Sequence, residues 1–79
     1  MNNLVLTDIE GNKFKATFLF THFDYNFGKN YIVYLVDNDL LASHYEEVDG
    51  KYIIDNDLTS GEYDMIDHVI ESKMGEENE

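Results

Sequence analysis

Ser43 stands next to His44, so a hydroxyl nucleophile is followed directly by a base. Successive residues of a strand point to opposite faces, so in an extended segment the two cannot share a hydrogen bond as nucleophile and base. No Gly-x-Ser-x-Gly elbow presents a serine elsewhere. The string Asp-Asn-Asp-Leu occurs at Asp37–Leu40 and again at Asp55–Leu58. A calcium loop of the EF-hand type needs Gly at its sixth position and Glu at its twelfth. Counted from Asp55 those positions hold Ser60 and Ile66, and from Asp37 they hold Ala42 and Val48. Both strings therefore read as Asx turns, with Asp55 and Asp57 at most weak surface ligands for a cation. His22, His44 and His68 show neither an i, i+4 pair nor a His-Glu motif, and they read as ordinary solvated or hydrogen-bonded histidines. Asn26-Phe27-Gly28-Lys29-Asn30 has one Gly and one Lys, which makes a turn rather than a phosphate loop. Glu46 and Glu47 alternate faces, so they form no acid–base dyad and read as a charged strand end that discourages edge pairing.

What the chemistry-bearing residues do share is negative charge. Seventeen Asp or Glu against five Lys and no Arg give a net charge of −12 over 79 residues. So acidic a surface repels nucleic-acid and anionic lipid backbones, and the absence of Arg removes the best bidentate phosphate ligand. No Cys is present, which excludes a disulfide framework or a thiolate metal site. The composition predicts a reducing, cytoplasmic setting, and Met1-Asn2-Asn3 lacks the basic start of a signal peptide. The longest apolar run, Tyr31 to Val36, falls far short of the ~20 residues that span a bilayer. Apolar residues at 43% argue for a folded chain, and a domain this small buries only about 60% of its unfolded surface.

The elements that must carry these residues follow from periodicity. Leu4–Thr7 reads as a short strand. Lys13–His22 alternates, with Phe14, Ala16, Phe18, Phe20 and His22 on one face and Leu19 among the residues of the other. Phe23–Asn30 is turn-rich. Tyr31–Val36 is continuously apolar, which predicts a central strand buried on both faces. Leu40–Val48 and Lys51–Ile54 are joined by Asp49-Gly50, a strong hairpin signal. The period then changes: Tyr63, Ile66, Val69, Ile70 and Met74 form a helical stripe. Thr59 and Glu62 have the spacing of a capping box, and Gly75 fits a helix C-cap. The expected architecture is α+β: an antiparallel meander of about five strands, curling toward a half-barrel, with one C-terminal amphipathic helix packed on it. Residues 1–74 are expected to form one domain, and 75–79 a disordered acidic tail. A helix of ~21 Å covers two or three strands, which leaves Leu19 and one set from the third strand on the opposite sheet face. Curling covers that face, or it serves as a dimer or protein-binding surface.

These segments carry a family resemblance. FLFTHFDYNFGKNYIVYLVD, LASHYEEVDGKYII and EYDMIDHVIE resemble the small bacterial family DUF1292, also called UPF0473. The matching residues include Phe18, Phe20, Gly28, Lys29, Tyr31, Ala42, Ser43, Tyr45, Glu62 and Asp64. The resemblance covers roughly residues 4 to 72. It implies a small, acidic, cytoplasmic bacterial protein with no established catalytic residues. His44 stands where the family often has Arg, and Tyr63 where it usually has Trp.

The expected function is a non-enzymatic interaction or regulatory module that docks on a basic protein surface, such as the basic channels of nucleic-acid machinery. Asp64, Asp67, His68 and Glu71 line the outer helix face that would steer the partner. Tyr25, Phe27, Tyr45 and Tyr63 are the candidate aromatic anchors. The plainer reading of the same charge is solubility. Alternatives from other classes are a homo-oligomer through the uncovered sheet face, and a ligand-binding or enzymatic domain with a pocket around His22 or His44. No cofactor, metal, membrane or direct nucleic-acid contact is expected.

Overall fold

Two-residue turns with positive φ set the register of the sheet. Asp37 and Asn38 (φ 52° and 75°) and Asp49 and Gly50 (φ 53° and 78°) have the backbone of type I′ hairpins. The first Asp-Asn-Asp string is therefore a hairpin turn, whereas the second is the expected Asx turn, with the Asp57 N–H donating to Asp55 Oδ1 at 3.0 Å. The computed structural model describes residues 2–75. They form β1 (Asn2–Asp8), β2 (Lys13–Asp24), β3 (Lys29–Val36), β4 (Asp39–Val48), β5 (Lys51–Asp55) and α1 (Ser60–Met74). Of the expected acidic tail, Gly75 ends the helix and the rest lies outside the described residues.

The strands pair in chain order, and β5 returns to β1, so the sheet closes into a barrel. Strands that alternate in direction leave the first and fifth pointing the same way. The closing pair is accordingly parallel, through Leu6–Tyr52, Thr7–Ile53 and Asp8–Ile54, while all other pairs are antiparallel. The fold is thus α+β, with a mostly antiparallel five-stranded sheet that goes beyond a half-barrel to full closure. Closure removes the free edges that an open sheet would expose.

The side chains sort into two cores. Leu6, Ala16, Ile32, Tyr34 and Ile54 fill the barrel, joined by Phe14, Phe18, Tyr45 and Tyr52. Tyr31, Val33, Leu58 and Ile66 pack between the barrel wall and α1, with Leu19, Phe20, Val69 and Ile70 around them. β3 supplies alternate residues to both, which is why its sequence is apolar throughout. The sheet face opposite the helix, expected to be left partly uncovered, is the barrel interior.

The alternation expected for β2 breaks in the middle. Phe18 pairs with Tyr34, but Phe20 pairs with Val33, so Leu19 is an extra residue in a bulge. Phe14, Ala16 and Phe18 face into the barrel, while Phe20 and Leu19 both pack on the helix side. The single face drawn through Phe14, Phe20 and His22, with Leu19 opposite, is corrected accordingly. The turn after β2 is also shorter than expected. Phe23–Asn30 and Asp24–Lys29 extend the ladder. The Asp24 carboxylate then accepts the Phe27 N–H at 3.1 Å, and the Asp24 carbonyl accepts the Gly28 N–H at 2.7 Å.

Candidate functional site

The helix begins with a bonded box at Thr59 and Glu62. Thr59 Oγ1 accepts the Glu62 N–H at 3.2 Å, and Glu62 Oε1 accepts the Thr59 N–H at 2.9 Å. The other oxygen, Oε2, accepts the Tyr31 hydroxyl at 2.5 Å and lies 3.5 Å from Lys29 Nζ. Glu62 is therefore a buried carboxylate, 2% exposed, with both oxygens satisfied. The Thr59 amide, then the Tyr31 hydroxyl, hold its pKa down to about 2. Burial, then the facing carboxylate, push Tyr31 well above the usual phenol range. This network fastens the first turn of α1 to the start of β3. The sequence shows the capping box but not the third partner, because the contact spans 31 residues.

Glu62 and Ile66 are the buried residues of α1, and Met65, Val69 and Ile70 are half-buried beside them. The buried line thus runs beside the expected one: Tyr63 and Met74, placed on the apolar stripe, are 45% and 41% exposed. Asp64, Asp67, His68 and Glu71 all lie exposed on the opposite face, brought together as one strip. Gly75 closes the helix in right-handed conformation, its N–H donating to the Glu71 carbonyl.

Three of the four candidate aromatics reach solvent. Tyr25 is 90% exposed at the tip of the β2–β3 hairpin and meets Phe23 edge-on at 5.0 Å between ring centroids. Phe27 lies at the start of α1, where a methyl group on Gly61 would meet its ring at 3.6 Å. Tyr63 donates its hydroxyl to the Asn56 carbonyl at 3.1 Å. Tyr45 is placed elsewhere: it packs into the barrel core and meets Tyr52 edge-on at 5.6 Å.

The residues considered for catalysis separate. Ser43 is fully buried in the barrel, 2.8 Å from the Tyr34 hydroxyl. His44, on the other face of β4, lies 3.5 Å from Asp55. His22 Nε2 lies 3.4 Å from Asp24 Oδ1 and lines an open groove with His68, Ser72 and Lys73. Among the described residues no group of three or more His, Asp or Glu side chains is arranged to hold a metal ion. None of the helices among them is long and apolar enough to cross a membrane.

Sequence reasoning missed the two ends of the barrel. One opens between Asn3, Phe18, Thr21, Tyr45 and Tyr52, in a cavity of about 320 Å3. The other opens between Asp8, Glu10, Phe14, Tyr34 and Asp55, in a cavity of about 350 Å3. The second shares Tyr34, Leu41 and Asn56 with a cleft that runs to Tyr63 and Asp67 of the helix. The clustering of acids at Asp8, Glu10 and Asp55 is invisible in the chain order, because parallel closure of β1 on β5 creates it.

No protein-family model, curated protein or solved structure matches this chain.

Proposed function

We propose that this protein is a non-enzymatic interaction module that docks the outer face of α1 on a basic surface of another protein. The observation that carries the reading is the exposed strip of Asp64, Asp67 and Glu71 on a helix whose first turn is held rigidly by Glu62 and Tyr31. A fixed row of carboxylates concentrates field at one place and speeds encounter with a cationic partner. Exposed Phe27 and Tyr63 lie toward the N-terminal end of the strip, and they and exposed Tyr25, on the β2–β3 turn, supply apolar area for a short-range contact. Nucleic-acid machinery, with its basic channels, is a partner class of the right charge. The lack of cysteine supports a reducing, cytoplasmic compartment, and the sequence motifs support membership of the DUF1292 family. A homo-oligomer through an uncovered sheet face loses its surface, since that face is filled by the chain's own side chains.

Immobilised protein tests the reading in cell lysate. Wild type is expected to retain basic proteins at ~20 mM salt and release them by ~300 mM, where the screening length has shrunk severalfold. The variant Asp64→Asn/Asp67→Asn/Glu71→Gln should retain none of them. Retention of the same proteins by both forms, or of none by wild type at low salt, overturns the proposal.

A further inference from the structure

The barrel end formed by the close of β1 and β5 has a lining of mixed character. Half-buried Phe14 and the exposed Ile9 and Leu41 make its apolar part, while Tyr34 and Ile54 border it from the core, 1% and 3% exposed, with the Phe14 and Tyr34 ring centroids 6.4 Å apart. Asp8, Glu10 and Asp55 stand around it as carboxylates, and the lining contains no lysine. Asp8 spends its oxygens on the amides of its own loop, and Asp55 faces His44, but Glu10 makes no ion pair among the described residues.

Each simple class of occupant conflicts with part of this lining. An anion meets three negative groups. A wholly apolar ligand would take those groups from water without giving them a partner. A metal ion would need oxygens that converge, and these do not. An occupant with an apolar stem and a cationic head satisfies both parts. Arginine fits better than lysine, because its planar head stacks on an aromatic face and forks toward carboxylates.

We infer that this end of the barrel is a pocket for one arginine side chain presented by the basic partner. The inference rests on the docking reading for its partner, but its site is separate from the helix strip. The cleft past Leu41 and Asn56 joins the two into one continuous surface, so a single partner can engage both.

The test is an amide chemical-shift titration of the whole protein with a blocked pentapeptide, Gly-Gly-Arg-Gly-Gly, and its citrulline counterpart. Saturable shifts are expected at Ile9, Glu10, Phe14 and Ile54 with the arginine peptide, and none with citrulline. Glu10→Gln should weaken binding about threefold, the scale of one exposed ion pair. Asp64→Asn/Asp67→Asn/Glu71→Gln should leave these shifts in place. Shifts confined to the helix strip overturn the pocket and leave the docking reading standing. Equal response to citrulline, or no saturable shift at the barrel end, also overturns the pocket, while the docking reading is decided by its own salt-dependent capture.

Discussion

Glu62 shows how one carboxylate serves two purposes. At the third position of the helix it completes the cap, and through Tyr31 it fixes where the helix lies on the barrel. Its charge is sheltered by three donors, so removing it exposes a buried tyrosine hydroxyl and an unsatisfied amide. Glu62→Gln is expected to lower unfolding free energy by about 2 kcal/mol, read from urea titration at neutral pH. The pH dependence follows from the sign of the shift. The carboxyl titrates near 2 in the folded protein, below its ordinary value of 4.5. The unfolded chain therefore takes up the proton first as pH falls, and the stability Glu62 contributes is complete above 4.5 and lost on the way down toward 2. Asp8, also held low by its loop amides, contributes in the same direction. The difference between wild type and Glu62→Gln should therefore shrink across that window. A difference that stays constant from neutral pH to pH 2.5 would show that Glu62 acts through packing alone.

At the scale of elements, the bulge at Leu19 decides which core β2 serves. Its first half fills the barrel and its second half meets the helix, and one extra residue makes the change of side. Deleting Leu19 restores strict alternation: Phe18 stays in the barrel, Phe20 follows it on the helix side, and only the half-buried Leu19 is lost from the helix-side core. The deletion is expected to cost about 2 kcal/mol, the low end for a lost core leucine, and so to lower the urea midpoint while the transition stays cooperative; loss of the folded state would mean that the barrel needs the bulge itself. The same residue shows why the sequence was readable only in part. The hairpin turn at Asp49-Gly50, the double-sided strand Tyr31–Val36 and the Thr59 cap are local patterns, and each stands where the residues put it, whereas Asp37-Asn38, read as an Asx turn, makes a type I′ hairpin. The bulge leaves no local mark, since Phe18, Leu19 and Phe20 suit either face. Barrel closure and the acidic end at Asp8, Glu10 and Asp55 depend on pairing between chain segments more than forty residues apart. Tyr45, expected among the aromatic anchors, is instead turned into the barrel by strand alternation.

The whole molecule carries −12 charges on a small body, and that charge works against folding. Raising NaCl from ~10 to ~200 mM screens the repulsion and should raise the melting temperature by several degrees, since ~1 kcal/mol corresponds to about 4–8 °C at this size. Part of the cost is on the helix. Asp64 and Asp67, then Asp67 and Glu71, are like charges three and four residues apart, each pair costing a few tenths of a kcal/mol. Glu71 also sits near the end of the helix where the dipole disfavours a carboxylate. Neutralising the three as Asp64→Asn/Asp67→Asn/Glu71→Gln should therefore raise the melting temperature at ~10 mM salt and narrow its rise with added salt. If the strip existed to hold the helix, the variant would melt lower instead. A variant that melts higher but captures no basic protein would separate the two uses of charge: the carboxylates would weaken the fold slightly and be retained for what they attract.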